Sequence, residues 1–86
     1  MEVLKVSKTS TSASVAKAIS AVIANQGEVE LQTVGAGACN QAIKAIVIAR
    51  GYLAPMGIEL VCSPSFSKVE IENLERTAIR IHVFKK

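Results

Sequence analysis

The sequence predicts an α/β fold: a two-layer sandwich in the order β-α-β-α-β-β, with a mixed four-stranded sheet and two helices on one face. Three observations predict it. Two segments carry apolar residues at helical spacing. Each is closed by a glycine-containing break, Asn25-Gln26-Gly27 and Ala54-Pro55-Met56-Gly57. The remaining segments alternate polar and apolar residues, as half-buried strands do. At 86 residues the chain is one domain, residues 1–86, with no room for a second.

Residues 2–7 read as a short strand, with Val3 and Leu4 facing opposite ways. Six of the eight residues Ser7 to Ser14 are Ser or Thr, which favour turns and caps because their hydroxyls compete for backbone groups. This loop ends in a helix N-cap at Thr11 or Ser12. Val15, Ala18, Ile19, Val22 and Ile23 then form one apolar stripe, and Gly27 suits a left-handed helix end. Residues 28–34 alternate as a strand. After Gly35-Ala36-Gly37 a second helix runs from about 38 to 53, apolar on most of its circumference. Residues 58–63 are a strand that Pro64 interrupts, at an edge or a bulge. Residues 68–72 alternate, Asn73-Leu74 makes a hairpin turn, and residues 76–84 alternate again. Thr77, Ile79, Ile81 and Val83 share one face of that last strand; Ala78, Arg80, His82 and Phe84 share the other.

Half the residues are apolar and 20% are charged, a balance that folds rather than stays disordered. The only aromatics are Tyr52, Phe66 and Phe84, so the core is aliphatic, and the near absence of aromatics argues against single-strand recognition by base stacking. A chain this short buries only about 60–65% of its unfolded surface, and a staple or a partner would help. Cys39, Cys62 and His82 are too few for a zinc site, so no metal and no cofactor is expected. The start shows no secretory leader and no apolar run reaches a membrane span, so the cysteines read as reduced residues of a cytoplasmic protein. Oligomerisation is the remaining source of stability. The second helix has more apolar surface than one sheet can cover, so we expect a two-fold homodimer with Ile43, Val47 and Ile48 at its interface. Ten Lys and Arg oppose seven acids, all Glu, for a formal charge of +3. That bias is mild, and where the cations lie matters more than their sum.

Enzymatic chemistry is poorly supported. There is no Asp and no G-x-S-x-G, and the sole histidine sits in a strand. Gly35-Ala36-Gly37 is half of a dinucleotide fingerprint, but Asn40 stands where its third glycine belongs. Two readings of the turn remain compatible: glycines that permit tight packing, and helix N–H groups that favour an anion such as a backbone phosphate. Asn40, Gln41 and Lys44 form the only polar strip on the second helix. Standing alone, such a strip is most simply a solvated edge. Lys5, Lys8 and Lys17 cluster at the first strand–helix junction, while Arg76 and Arg80 lie on the last strand beside Glu70, Glu72 and Glu75 of the hairpin.

The stretch Val34-Gly35-Ala36-Gly37-Ala38-Cys39-Asn40-Gln41-Ala42-Ile43-Lys44-Ala45-Ile46-Val47-Ile48-Ala49-Arg50-Gly51 resembles the stage V sporulation protein S family. So do Glu2-Val3-Leu4-Lys5-Val6-Ser7 and Glu75-Arg76-Thr77-Ala78-Ile79. More distantly the chain is similar to the archaeal chromatin protein Alba. The resemblance implies a dimeric nucleic-acid-binding domain that influences developmental gene expression in sporulating bacteria. Alba carries a lysine pair in the loop after the first strand; here that loop holds Lys8 followed by Thr9. Alba also uses a basic hairpin arm, which corresponds here to Ser67–Arg76.

The reading that joins these strands is a non-catalytic regulator that binds nucleic acid, with DNA favoured over RNA, and that makes no membrane contact. Its binding residues are Lys8, Asn40, Gln41 and Lys44, with Lys17, Arg76 and Arg80 as outer members and Gly35 and Gly37 as the phosphate turn. The alternative is a regulatory domain that binds protein partners or a small ligand and no nucleic acid.

Overall fold

A computed structural model describes all 86 residues. The chain forms β1 (Val3–Val6), α1 (Ser12–Gln26), β2 (Glu28–Thr33), α2 (Ala36–Leu53), a 3-10 turn (Ala54–Met56), β3 (Leu60–Ile71) and β4 (Leu74–Lys85). The sheet order is β1-β2-β4-β3, with β1 parallel to β2 and the other pairs antiparallel. The expected α/β order and mixed four-stranded sheet are therefore present.

Side-chain alternation explains why the helices cover one face. Val6, Thr33 and Ile79 lie in one cross-strand row, and Leu4, Leu31 and Ile81 in the next. Val6, Leu31, Thr33 and Ile81 are buried, and Leu4 and Ile79 pack against the core. The intervening row, Lys5–Gln32–Arg80–Ser65, belongs to the opposite, helix-free face. On the covered face, Ile19 and Ile23 of α1 meet Ala42, Ala45 and Ala49 of α2 in one aliphatic cluster. Thr33, the one buried polar residue, donates its hydroxyl hydrogen bond to the Ile79 carbonyl at 2.9 Å.

Several local expectations are corrected. In α1, Ala16 is fully buried and Ala18 only partly, so the stripe turns slightly toward α2. Thr11 occupies the N-cap but makes no side-chain cap. Helix α2 starts two residues before the expected position, because Gly35 takes φ 91° and turns the chain directly into it. Pro64 does not interrupt its strand: β3 runs unbroken through the Pro64–Ile81 pair. It is an edge strand, as a proline requires. The hairpin turn is Glu72-Asn73, not Asn73-Leu74, with φ 52° and 64° at its two positions and Leu74 already paired to Ile71. Ala78 shares a face with Arg80 and is buried.

Beyond the Thr33–Ile79 pair, β3 and β4 continue alone for five pairs, from Ser67–Ala78 to Ile71–Leu74. This arm projects about 17 Å at the usual rise per residue. It makes the molecule elongated, 43 × 22 × 16 Å.

Candidate nucleic-acid interface

Because β1 and β2 are parallel neighbours, their C-terminal ends emerge side by side. The loop after β1 and the turn into α2 therefore meet. The loop is tied by its own hydroxyls: Ser7 N–H donates to Ser10 Oγ at 2.9 Å, and Ser7 Oγ lies 3.0 Å from Thr9 Oγ1. Gln41 Nε2 on α2 donates to the Ser10 carbonyl at 2.7 Å. Contact is closest at Gly37, where an added Cβ would stand 2.9 Å from Cβ of Lys8. Glycine here is a packing requirement, since only its bare Cα lets the loop lie this close.

This junction forms one wall of a groove of about 900 Å³. Lys5, Lys8 and Gln32 line it on the sheet side, and the Gly35–Ala38 turn closes its end. Val69, Ile71 and Arg76 line it from the arm. Three cations thus surround the groove against a single carboxylate, Glu70. The first turn of α2 carries no acidic residue and no side-chain cap, so its N–H groups add to the positive end. Lysines, loop hydroxyls and helix N–H groups are all phosphate ligands.

The expected site residues divide. Lys8, Gly35, Gly37 and Arg76 come together at the groove. Arg80 lies beside it, in the same cross-strand row as Lys5 and Gln32, and donates Nε–H to Ser65 Oγ at 3.1 Å. Gln41 serves the loop rather than the groove lining. Lys44 reaches back to Gln41 Oε1 at 3.4 Å and lines a separate depression with Ser12, Ile43, Val47 and Ile48. Asn40 borders another groove, beside Ile43 and Phe66. Lys17 is exposed on α1. Two groove residues, Lys5 and Gln32, lay outside the expected set. Their signal was the strand alternation, which puts both on the helix-free face once β1 and β2 are paired in register.

Nothing gathers three or more His, Cys, Asp or Glu side chains into a metal-binding group, and both cysteines are free thiols, Cys62 exposed and Cys39 half-buried. His82 is held by Glu28, with Nε2 to Oε1 at 2.9 Å, and stacks on Phe84. No helix is long and apolar enough to cross a membrane.

Residues 2–86 match the profile of the family described as Stage V sporulation protein S (SpoVS). The chain belongs to the SpoVS family. The match spans β1 through β4, so the loop, the glycine turn and the arm all fall within the family domain. Membership gives the protein a sporulation-related role.

Proposed function

We propose that this protein is a non-catalytic, dimeric nucleic-acid-binding regulator of sporulation-related gene expression, working in the cytoplasm. The observation that carries the reading is the convergence of Lys5, Lys8 and Arg76 on one groove beside the uncapped start of α2. These cations come from β1, its loop and the arm, so folding assembles a site that no single segment contains. Backbone phosphates supply the matching charge. The loop is already ordered by its own hydrogen bonds, so little conformational freedom is lost on binding.

The dimer reading rests on α2. Ile43 is 44% exposed and Val47 62% exposed, while Ile48 packs against the core and contributes less to a partner. Gly51 lies one turn beyond Val47 on the same side of the helix. It has no positive φ, and a Cβ added there would meet nothing within 4 Å, so the protomer itself has no need of glycine at this position. Interior helix glycine costs up to about 1 kcal/mol against alanine. A second copy accounts for it. If two α2 helices pack antiparallel with the two-fold axis at Val47, Ile43 of each lies over Gly51 of the other, a knob over a notch. Phe66, 78% exposed on the same side of the sheet, flanks this surface. The dimer would carry two grooves and gain avidity on one polymer.

The test is anisotropy of labelled DNA and RNA duplexes and single strands at several salt concentrations. Phosphate-driven binding weakens steeply with salt, by about one log unit of affinity per log unit of salt for each neutralised phosphate. Absence of binding to every strand form at low salt would reject the reading in favour of a protein or small-ligand regulator.

A further inference from the structure

We infer that the groove beneath the hairpin arm takes unpaired nucleotides, with a base against the arm and its phosphate on Lys5 and Lys8, rather than the outside of a duplex. The inference rests on the nucleic-acid reading above and specifies its ligand.

The chemistry of the arm decides the point. A hairpin that enters a duplex groove must pass two phosphate rows, and a basic tip would favour this. This tip carries Glu70, Glu72 and Glu75, and only Lys68 pairs with one of them, at 3.4 Å to Glu75. Glu70 and Glu75 even stand directly opposite each other across the strands. Like charges in that position destabilise a hairpin and repel phosphate. Of these carboxylates only Glu70 reaches the groove, where the arm also presents Val69, Ile71 and Arg76; Val69 pairs with Arg76, and Ile71 with Leu74 on the same side of the arm. Ile71 is 44% exposed and Leu74 61% exposed. Aliphatic groups beside a guanidinium suit the flat face of a base, on which Arg also stacks. Base faces are hidden in a duplex and free in a single strand.

The opposite wall supplies what the rest of a nucleotide needs. Lys5 and Lys8 offer charge to the phosphate, and Gln32 offers both a donor and an acceptor to a base edge. At about 900 Å³ the groove is larger than the apolar depression of about 620 Å³ beside Phe66, and it falls in the size range of ligand sites. The surface has one recess in which cations, an amide and aliphatic groups face one another.

The experiment uses the full chain at one fixed salt concentration. Labelled 12-nucleotide unstructured strands, of DNA and of RNA, are compared with a blunt duplex of the same length by anisotropy. The single strand is expected to bind about tenfold tighter than the duplex, a preference of the size that one guanidinium–base contact with the aliphatic area beside it provides. Ile71→Ser, at an exposed position, should weaken the single strand about fivefold and leave duplex binding within twofold, whereas Arg76→Ala should weaken both strand forms. Only Arg76→Ala should also lower the salt slope. A nucleoside 5′-monophosphate at millimolar concentration should displace the strand where inorganic phosphate does not, which separates base recognition from phosphate recognition. Duplex binding equal to or tighter than single-strand binding would overturn the inference while leaving the nucleic-acid reading intact. Binding of neither would overturn both.

Discussion

Two glycines of α2 separate the demands of the protomer from those of the proposed dimer. On propensity alone, Gly37→Ala and Gly51→Ala would each stabilise the helix by up to about 1 kcal/mol. At Gly37 the new methyl group meets Lys8 at 2.9 Å, and overpacking of this kind costs about 1–3 kcal/mol. We predict that Gly37→Ala shows no net gain in thermal stability and weakens nucleic-acid binding, because the loop must move to admit the methyl. Thermal melts and anisotropy check both. The close approach was readable as a turn in the sequence, through Gly35-Ala36-Gly37, but which glycine needs to be glycine, and for which reason, was not. Gly35 is fixed by its positive φ and Gly37 by a neighbour 29 positions earlier in the chain, and neither is a local property. Gln41 makes the same point. Its place in a polar strip suggested a ligand contact, whereas its amide is spent on the Ser10 carbonyl.

At the scale of elements, periodicity located both helices and all four strands, because the helices and the strands β1, β2 and β4 bury one side against the same core and β3 alternates along the edge. The errors lie where pairing overrides local signals. Pro64 reads as a strand breaker, yet the continuous register with β4 carries β3 past it along the edge. The turn moved by one residue because the Ile71–Leu74 pair draws Leu74 into the sheet and leaves Glu72 to adopt a left-handed conformation. A two-residue turn with positive φ at both positions favours Asn-Gly, and Glu is poorly suited to the first of them. We therefore predict that Glu72→Asn stabilises the protein by about 0.5–1 kcal/mol, a fraction of the usual cost of a left-handed non-glycine residue. Chemical denaturation measures it. An unchanged or lower midpoint would show that the turn does not hold this geometry.

At the scale of the whole molecule, the elongated shape places the arm at one end and the exposed apolar side of α2 along its flank. A chain this small leaves a large fraction of its apolar surface uncovered, and self-association is the economical remedy. Introducing a charge at the centre of the proposed two-fold contact, Val47→Glu, should convert the proposed dimer to a folded monomer in sedimentation equilibrium, since Val47 is exposed and contributes little to the protomer core. Gly51→Ala should weaken the dimer while leaving the melting of the monomer equal or higher. A parent protein that is monomeric at micromolar concentration would contradict the dimer.

Backbone amide NMR on the full 86-residue chain tests the groove most directly. Titration with a short unstructured oligonucleotide should shift amides of Lys5–Ser10, Gly35–Ala38 and Val69–Arg76 together. Those segments are far apart in sequence and meet only at the groove. The expected result is this joint response, with the amides of Lys44 and Lys17 moving little. Shifts confined to α2 around Asn40–Lys44, or spread over the surface with no cluster, would contradict it.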